Sequence, residues 1–359
     1  MRIAQIAPLV ERVPPKTYGG TERVIHALTE ELVRRGHDVT LFATGDSITS
    51  AKLESVYPRG MREAHIKDLY GLNLPTLLHI GKAYEMQDEF DIIHDHLTPI
   101  TLPIANIAKT PVVMTVHGPF SSENRKLFEV LHKPSIVTIS EAQSYRVPGI
   151  NHIGVVHNGL PMEEYPFSAE PGEYLLYVGR ISMEKGVHYA VEVSQRLDIP
   201  LIIAAKLEKI DRPYFSEYIE PYLSDRIRWI GEVNESERNE LMAKALCFLH
   251  PVTWREPFGL TLIESMACGT PVVAFNRGSI PEIVKNGETG FVADDVETMI
   301  EAVMDIRSIN RKRCRAYALE NFSASRMTDD YEAVYRKVLD VHDVFDIPYQ
   351  EGTYRFKNA

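Results

Sequence analysis

Short apolar runs alternate with amphipathic, helix-length stretches along most of the chain. RIAQIAPL (residues 2–9) reads as a strand, and a Pro/Gly loop, VPPKTYGG (13–20), follows it. In TERVIHALTEELVRRG (21–36), Val24, Leu28 and Leu32 recur four apart on one helical face, Gly36 is the stop, and DVTLFA (38–43) is the next strand. This is a βαβ unit. DIIH (91–94), PVVMTV (111–116), SIVTI (135–139) and IGVVHN (153–158) continue the alternation, which predicts a parallel sheet covered on both faces.

The pattern breaks at residues 159–173, where GLPMEEYPFSAEPG concentrates Pro, Gly and acids as an interdomain linker does. It then restarts: YLLYVG, a helix from about Val187, PLIIAA, RIRWIG, a helix over ESERNELMAKA, LCFLHP, a helix inside EPFGLTLIESMA, PVVAF and GFVA. Two doubly wound sheets in tandem fit this better than one. The expected divisions are residues 1–165, 166–324 and a terminal segment, 325–359, whose helix at about Ser325–Val341 has no following strand and packs back on the first domain. The acidic, aromatic tail from Asp343 has no period and reads as a strap or a frayed end.

Composition narrows the field. A length of 359 residues suits two cores, and 44% hydrophobic with 25% charged residues is ordinary for a globular protein. A formal charge of −11 without a basic run argues against nucleic acid, so an anionic ligand needs a local basic pocket. Cys247, Cys268 and Cys314 show no CxxC spacing, and neither a DxD motif nor a His/carboxylate cluster points to a metal. No export signal or membrane-length apolar run is present, giving the expectation of a cytoplasmic protein.

Four features fall at strand ends, where open parallel sheets bind ligands. Gly19 and Gly20 open the first helix, where backbone N–H groups meet an anion. Arg180 and Lys185 bracket the loop of VGRISMEKG (178–186); arginine grips phosphate with two donors and lysine acts as a point charge. His117 follows PVVMTV and reads either as a rim residue or as a substrate contact. Finally, Glu256 precedes a helix whose first turn is expected at Phe258, Gly259, Leu260 and Thr261, with Glu264 inside it. Eight helical residues span about 12 Å, too far for a glycosidase pair at about 5–9.5 Å. Two carboxylates flanking an anion site match a nucleotide sugar: ribose, diphosphate, hexose.

The chain also resembles the retaining glycosyltransferases of family 4, which have the GT-B fold and an E-x7-E motif. The resemblance rests on GGTER (19–23), TVHG (115–118), VGRISMEKG, EPFGLTLIESMACGTPVVA (256–274) and GSIPEIVKNGETGFV (278–292), and it covers nearly the whole chain. It implies a hexosyltransferase that uses a nucleoside-diphosphate sugar, UDP slightly favoured over GDP or ADP, and no cofactor; the cationic loop and the missing metal-ligand cluster add the expectation that it is metal-independent. Glu264 would hold the ribose and Glu256 the hexose. Arg180 and Lys185 would hold the diphosphate, with Gly20 and the amides of Leu260 and Thr261 beside it. His117 would meet the transferred sugar, and Trp229–Val233, Gly231 and Val233 included, the base.

The chain departs from the family pattern at Lys206–Lys209, where many relatives have a glycine-rich turn, and residues 46–90 match no motif. The acceptor, a sugar, a lipid-linked sugar or a small molecule, is therefore not read from the family. A nucleotide-sugar epimerase of the same architecture and a non-catalytic two-domain sugar-binding protein are the alternatives.

Overall fold

A computed structural model describes residues 1–16, 19–64, 74–144 and 149–345. The tail from residue 346, part of the Pro/Gly loop and part of the unmatched 46–90 region lie outside them. Seven parallel strands form the first sheet: β1 (Arg2–Ile6), β2 (Asp38–Phe42), β3 (Lys52–Glu54), β4 (Ile92–Asp95), β5 (Val112–Val116), β6 (Ser135–Thr138) and β7 (His152–Val155), in the order β3-β2-β1-β4-β5-β6-β7. Six parallel strands form the second: β8 (Leu175–Ile181), β9 (Leu201–Leu207), β10 (Ile227–Gly231), β11 (Cys247–His250), β12 (Val272–Phe275) and β13 (Gly290–Ala293), in the order β10-β9-β8-β11-β12-β13.

Strands β4, β5 and β12 are buried at every position, as expected of parallel strands with helices on both faces. The apolar runs predicted all of these strands except β3. Its segment, Lys-Leu-Glu, pairs at the sheet edge with only one apolar side chain, so it carries no hydrophobic signal. Strand β8 runs two residues beyond YLLYVG, which moves Arg180 from the expected loop into the strand itself. The extension is paired with an equally extended β9, Arg180 opposite Lys206 and Ile181 opposite Leu207.

The chain passes between the sheets twice, and the two passages touch. Leu160 forms a parallel bridge with Ser323. Gly159 has no room for a side chain, since a Cβ there would lie 2.3 Å from the Ser323 carbonyl oxygen. The 22-residue helix Ala324–Phe345 then crosses back to the first domain. Tyr331 and Tyr335 are buried beneath it, and on its rim Arg35 meets Asp329 at 2.7 Å and His37 meets Glu332 at 2.8 Å. The three cysteines are buried and free. No helix among the described residues is long and apolar enough to cross a membrane.

Candidate active site

Each sheet reverses its strand order once, between β1 and β4 and between β8 and β11. The loops after β1 and β5 of the first sheet and after β8 and β11 of the second line a cavity of about 680 Å³. Crevices of this kind are where open α/β sheets take ligands.

Two helix N-termini meet across it. Helix Gly20–Arg34 comes from the first domain and Leu260–Ala267 from the second. A Cβ on Gly20 would sit 3.1 Å from a Leu260 methyl, so glycine is what lets the two ends approach. Gly259 caps the second helix with φ 86°, a left-handed conformation that glycine adopts without strain. The expected first turn at Phe258 is therefore corrected: Glu256–Gly259 is an irregular approach and the helix begins at Leu260. The 12 Å estimate, which assumed a continuous helix, falls with it. Phe258, Gly259, Leu260 and Thr261 all border the cavity, although the Phe258 ring packs between His157 and Phe322 in the core.

Arg180 and Lys185 enter the cavity from β8 and the 3-10 turn Met183–Lys185. Arg180 donates to Glu184 at 2.5 Å in a pair that is two-fifths exposed on both sides. Lys185 donates to Glu256 Oε2 at 2.8 Å, and the Trp254 indole N–H donates to the same oxygen at 3.0 Å. Burial alone would raise the Glu256 pKa; neighbouring His250 and the Lys185 ammonium outweigh it and hold the carboxyl at about 2. Lys185 is the stronger partner. His250 stands 3.6 Å away, beyond hydrogen-bond range, and burial lowers its own pKa.

Glu264 is fully buried, and its two oxygens differ. Oε1 receives Arg23, Arg238 at 2.9 Å and the Tyr165 hydroxyl at 3.2 Å. Oε2 has no partner. Burial opposes ionisation here too, and the two guanidinium groups keep the carboxyl below its ordinary range. A capping box between Asn234 and Glu237 fixes the helix that carries Arg238. A buried carboxylate with one saturated and one open oxygen is built to accept from a hydroxyl.

His117 borders the cavity beyond β5, and burial depresses its pKa to about 4. Gly231 ends β10 with φ 80°, and Glu232 and Val233 after it reach the cavity, as does Lys206, paired with Glu208 at 2.8 Å. Gly19, Gly20, Arg180, Lys185, Val233, Glu256 and Glu264 thus converge on one cleft, with Gly231 positioning its β10 side. Among the described residues no group of three or more His, Cys, Asp or Glu is placed to hold a metal ion.

Four residues at the cleft escape a reading of the sequence. Arg23 stands inside GGTER, but its carboxylate partner lies 241 residues away. Tyr165 lies in the linker, and Arg238 on the expected helix ESERNELMAKA, where it reads as one surface charge among several. Glu22, beside Arg23, is buried at the cavity with its pKa pushed up to about 7 by desolvation. Only the GGTER motif held a signal for any of them.

Comparison with known proteins covers both halves. The model of glycosyltransferase family 4 matches residues 18–164, and that of glycosyl transferases group 1 matches residues 163–320. Glycogen synthase of Mycobacterium tuberculosis is 26% identical over 89% of each chain. Sucrose-phosphate synthase of Thermosynechococcus elongatus superposes with a TM-score of 0.77 at 18% identity, covering 95% of this chain and 99% of that one. Anabaena HepE, solved in complex with UDP and glucose, gives 0.72 at 19% identity over 94% and 100%. These structures share the GT-B arrangement of two facing parallel-sheet domains.

Proposed function

This chain is a glycosyltransferase of family 4 with the GT-B fold, and from that premise we propose that it moves a hexose from a nucleoside-diphosphate sugar to an acceptor hydroxyl with retention of configuration. The observation that carries the reading is the pair of opposed helix N-termini at Gly20 and Leu260, with Arg180 and Lys185 beside them and a buried carboxylate on either side. A diphosphate between the helix ends meets backbone N–H groups from both domains. Its outer groups then reach Glu264 Oε2 on the ribose side and Glu256 on the hexose side.

As the glycosidic bond breaks, negative charge grows on the departing phosphate. Arg180, Lys185 and the helix ends are fixed in advance and stabilise that charge without reorganising. Lys185 exchanges one anion for another as it does so, since in this structure it donates to Glu256. The acceptor hydroxyl attacks from the face that the leaving group vacates, and the departing phosphate takes its proton. These groups do the electrostatic work of a metal ion, so turnover persists in excess EDTA.

UDP-sugars are favoured over GDP- and ADP-sugars; HepE, a fold relative, was solved with UDP and glucose. The similar proteins named above include a glycogen synthase and a sucrose-phosphate synthase, and nothing in the site favours an epimerase or a non-catalytic binder. A thermal-shift panel of UDP-, GDP- and ADP-sugars, followed by anomeric analysis of the product, tests the proposal. A ligand that binds the native state alone raises the midpoint. No shift with any nucleotide sugar, or an inverted product, would refute it.

A further inference from the structure

Behind His117 lie His96 and then His94: the His117 and His96 rings stack with centroids 5.2 Å apart, and the His94 ring is tilted against His96 at 4.0 Å. Gln5 of β1 lies directly opposite His94 of β4, so their side chains share one face of the sheet. One hydrogen-bonded chain connects them all. His117 Nε2 is 2.9 Å from His96 Nδ1, and His96 Nε2 is 2.8 Å from Gln5 Oε1. The Gln5 amide nitrogen donates to the Tyr335 hydroxyl at 3.2 Å, which is 2.6 Å from His94 Nδ1. His94 Nε2 meets Thr115 Oγ1 at 2.8 Å, and that hydroxyl meets Tyr331 at 2.8 Å. The chain runs from the cleft to the two tyrosines of the crossing helix.

Its polarity follows from one atom. Gln5 Oε1 can only accept, so His96 carries its hydrogen on Nε2. Burial holds the His96 pKa well below its ordinary value, so the ring is neutral and Nδ1 is a lone pair. His117 Nε2 must then donate to it. His117 is itself neutral, since burial depresses its pKa to about 4, and with its hydrogen on Nε2 its Nδ1 is a lone pair. The remaining bonds agree: Tyr335 donates to His94 Nδ1, and His94 Nε2 donates to Thr115.

We propose that Gln5 and His96 are positioning residues that lock His117 in its Nε2–H tautomer, so that it shows the cleft a hydrogen-bond acceptor. Resting on the transferase reading above, His117 accepts a hydrogen from a hydroxyl of the transferred sugar. The site therefore selects a sugar that carries a hydroxyl at that position over one that carries a carboxylate, which has only lone pairs to offer. Removing Gln5 leaves His96 unanchored, lets both His117 tautomers form, and lowers turnover with no loss of the phosphate cradle.

Two-bond ¹H–¹⁵N correlation spectra of the ¹⁵N-histidine-labelled full chain test this without any sugar. The His117 ring is assigned by the signals that disappear in His117→Gln. A neutral ring protonated at Nε2 is expected. Protonation at Nδ1, which an inverted Gln5 amide would produce, overturns the proposal and leaves the transferase reading standing. Gln5→Glu keeps an acceptor toward His96, so it should preserve the tautomer and most of the turnover. Gln5→Leu should mix the tautomers and lower kcat/KM about tenfold, the value of one hydrogen bond, at unchanged affinity for free nucleoside diphosphate. A Gln5→Leu protein with the native tautomer and native turnover would also overturn it.

Discussion

Arg23 of the first domain donates to Glu264 of the second, and through its other nitrogen to Tyr165 and Glu235, each at 2.6 Å. One guanidinium thus joins the two halves at the floor of the cleft. Removing one partner of a buried pair costs about 3–5 kcal/mol. Arg238 and Tyr165 remain on Glu264, so Arg23→Met should cost less, about 2–3 kcal/mol by the same rule. Chemical denaturation gives the number. Arg23→Lys should recover only part of it, because one ammonium cannot reach three partners at once. An unchanged midpoint for Arg23→Met would remove Arg23 from the account.

The two glutamates separate by ligand. Glu264→Gln should weaken both the nucleotide sugar and the free nucleoside diphosphate, since both contain the ribose. Glu256→Gln should leave diphosphate affinity nearly intact and lower turnover or shift sugar preference. A charged hydrogen bond is worth about 1.5–3 kcal/mol, giving changes of about tenfold to a hundredfold. Glu264→Gln also leaves two buried guanidinium groups undercompensated, so its titration belongs at a temperature where the variant is shown to be folded. Equal losses of diphosphate affinity in both variants would end the division of labour.

Replacing Arg180 or Lys185 by Ala should lower kcat/KM by about 10²–10³, the usual loss for one preorganised group at a developing charge. Arg180→Ala should leave stability almost unchanged, because its bond to Glu184 is two-fifths exposed and screened by water. Lys185→Ala removes the partner of a buried carboxylate and should destabilise as well. Steady-state kinetics and a melting curve on each variant check both halves. Normal turnover in either would withdraw that residue's role.

Glu256 gives a pH dependence of known sign. Its pKa is held at about 2 against an ordinary 4.5, so the folded chain ionises it more readily than the unfolded chain does. The stabilisation is complete above about pH 4.5 and fades as the pH falls toward 2. A shift of this size corresponds to at most about 3 kcal/mol. Stability should therefore fall more steeply below pH 4.5 in the wild type than in Glu256→Gln, and the gap between them should close with acid. Parallel curves for the two proteins would contradict the ion pair with Lys185.

The sequence by itself determined the architecture and most of the chemistry. Apolar runs of strand length separated by helical periods report burial on both faces, which is a local property that the residues state directly. Glycine at 20 and 259, cations at 180 and 185 and glutamates at 256 and 264 are likewise visible as residue types at strand ends. Tertiary structure decided the pairing. Which oxygen of Glu264 is saturated depends on Arg23 and Arg238, brought together from two domains. That Lys185 sits on Glu256 depends on β8 and β11 lying side by side. The line of hydrogen bonds from His117 to Tyr335 needs β1, β4, β5 and the crossing helix in register. Lys185 and Glu256 lie 71 residues apart, Gln5 and Tyr335 330, and no local period encodes a contact at such distances.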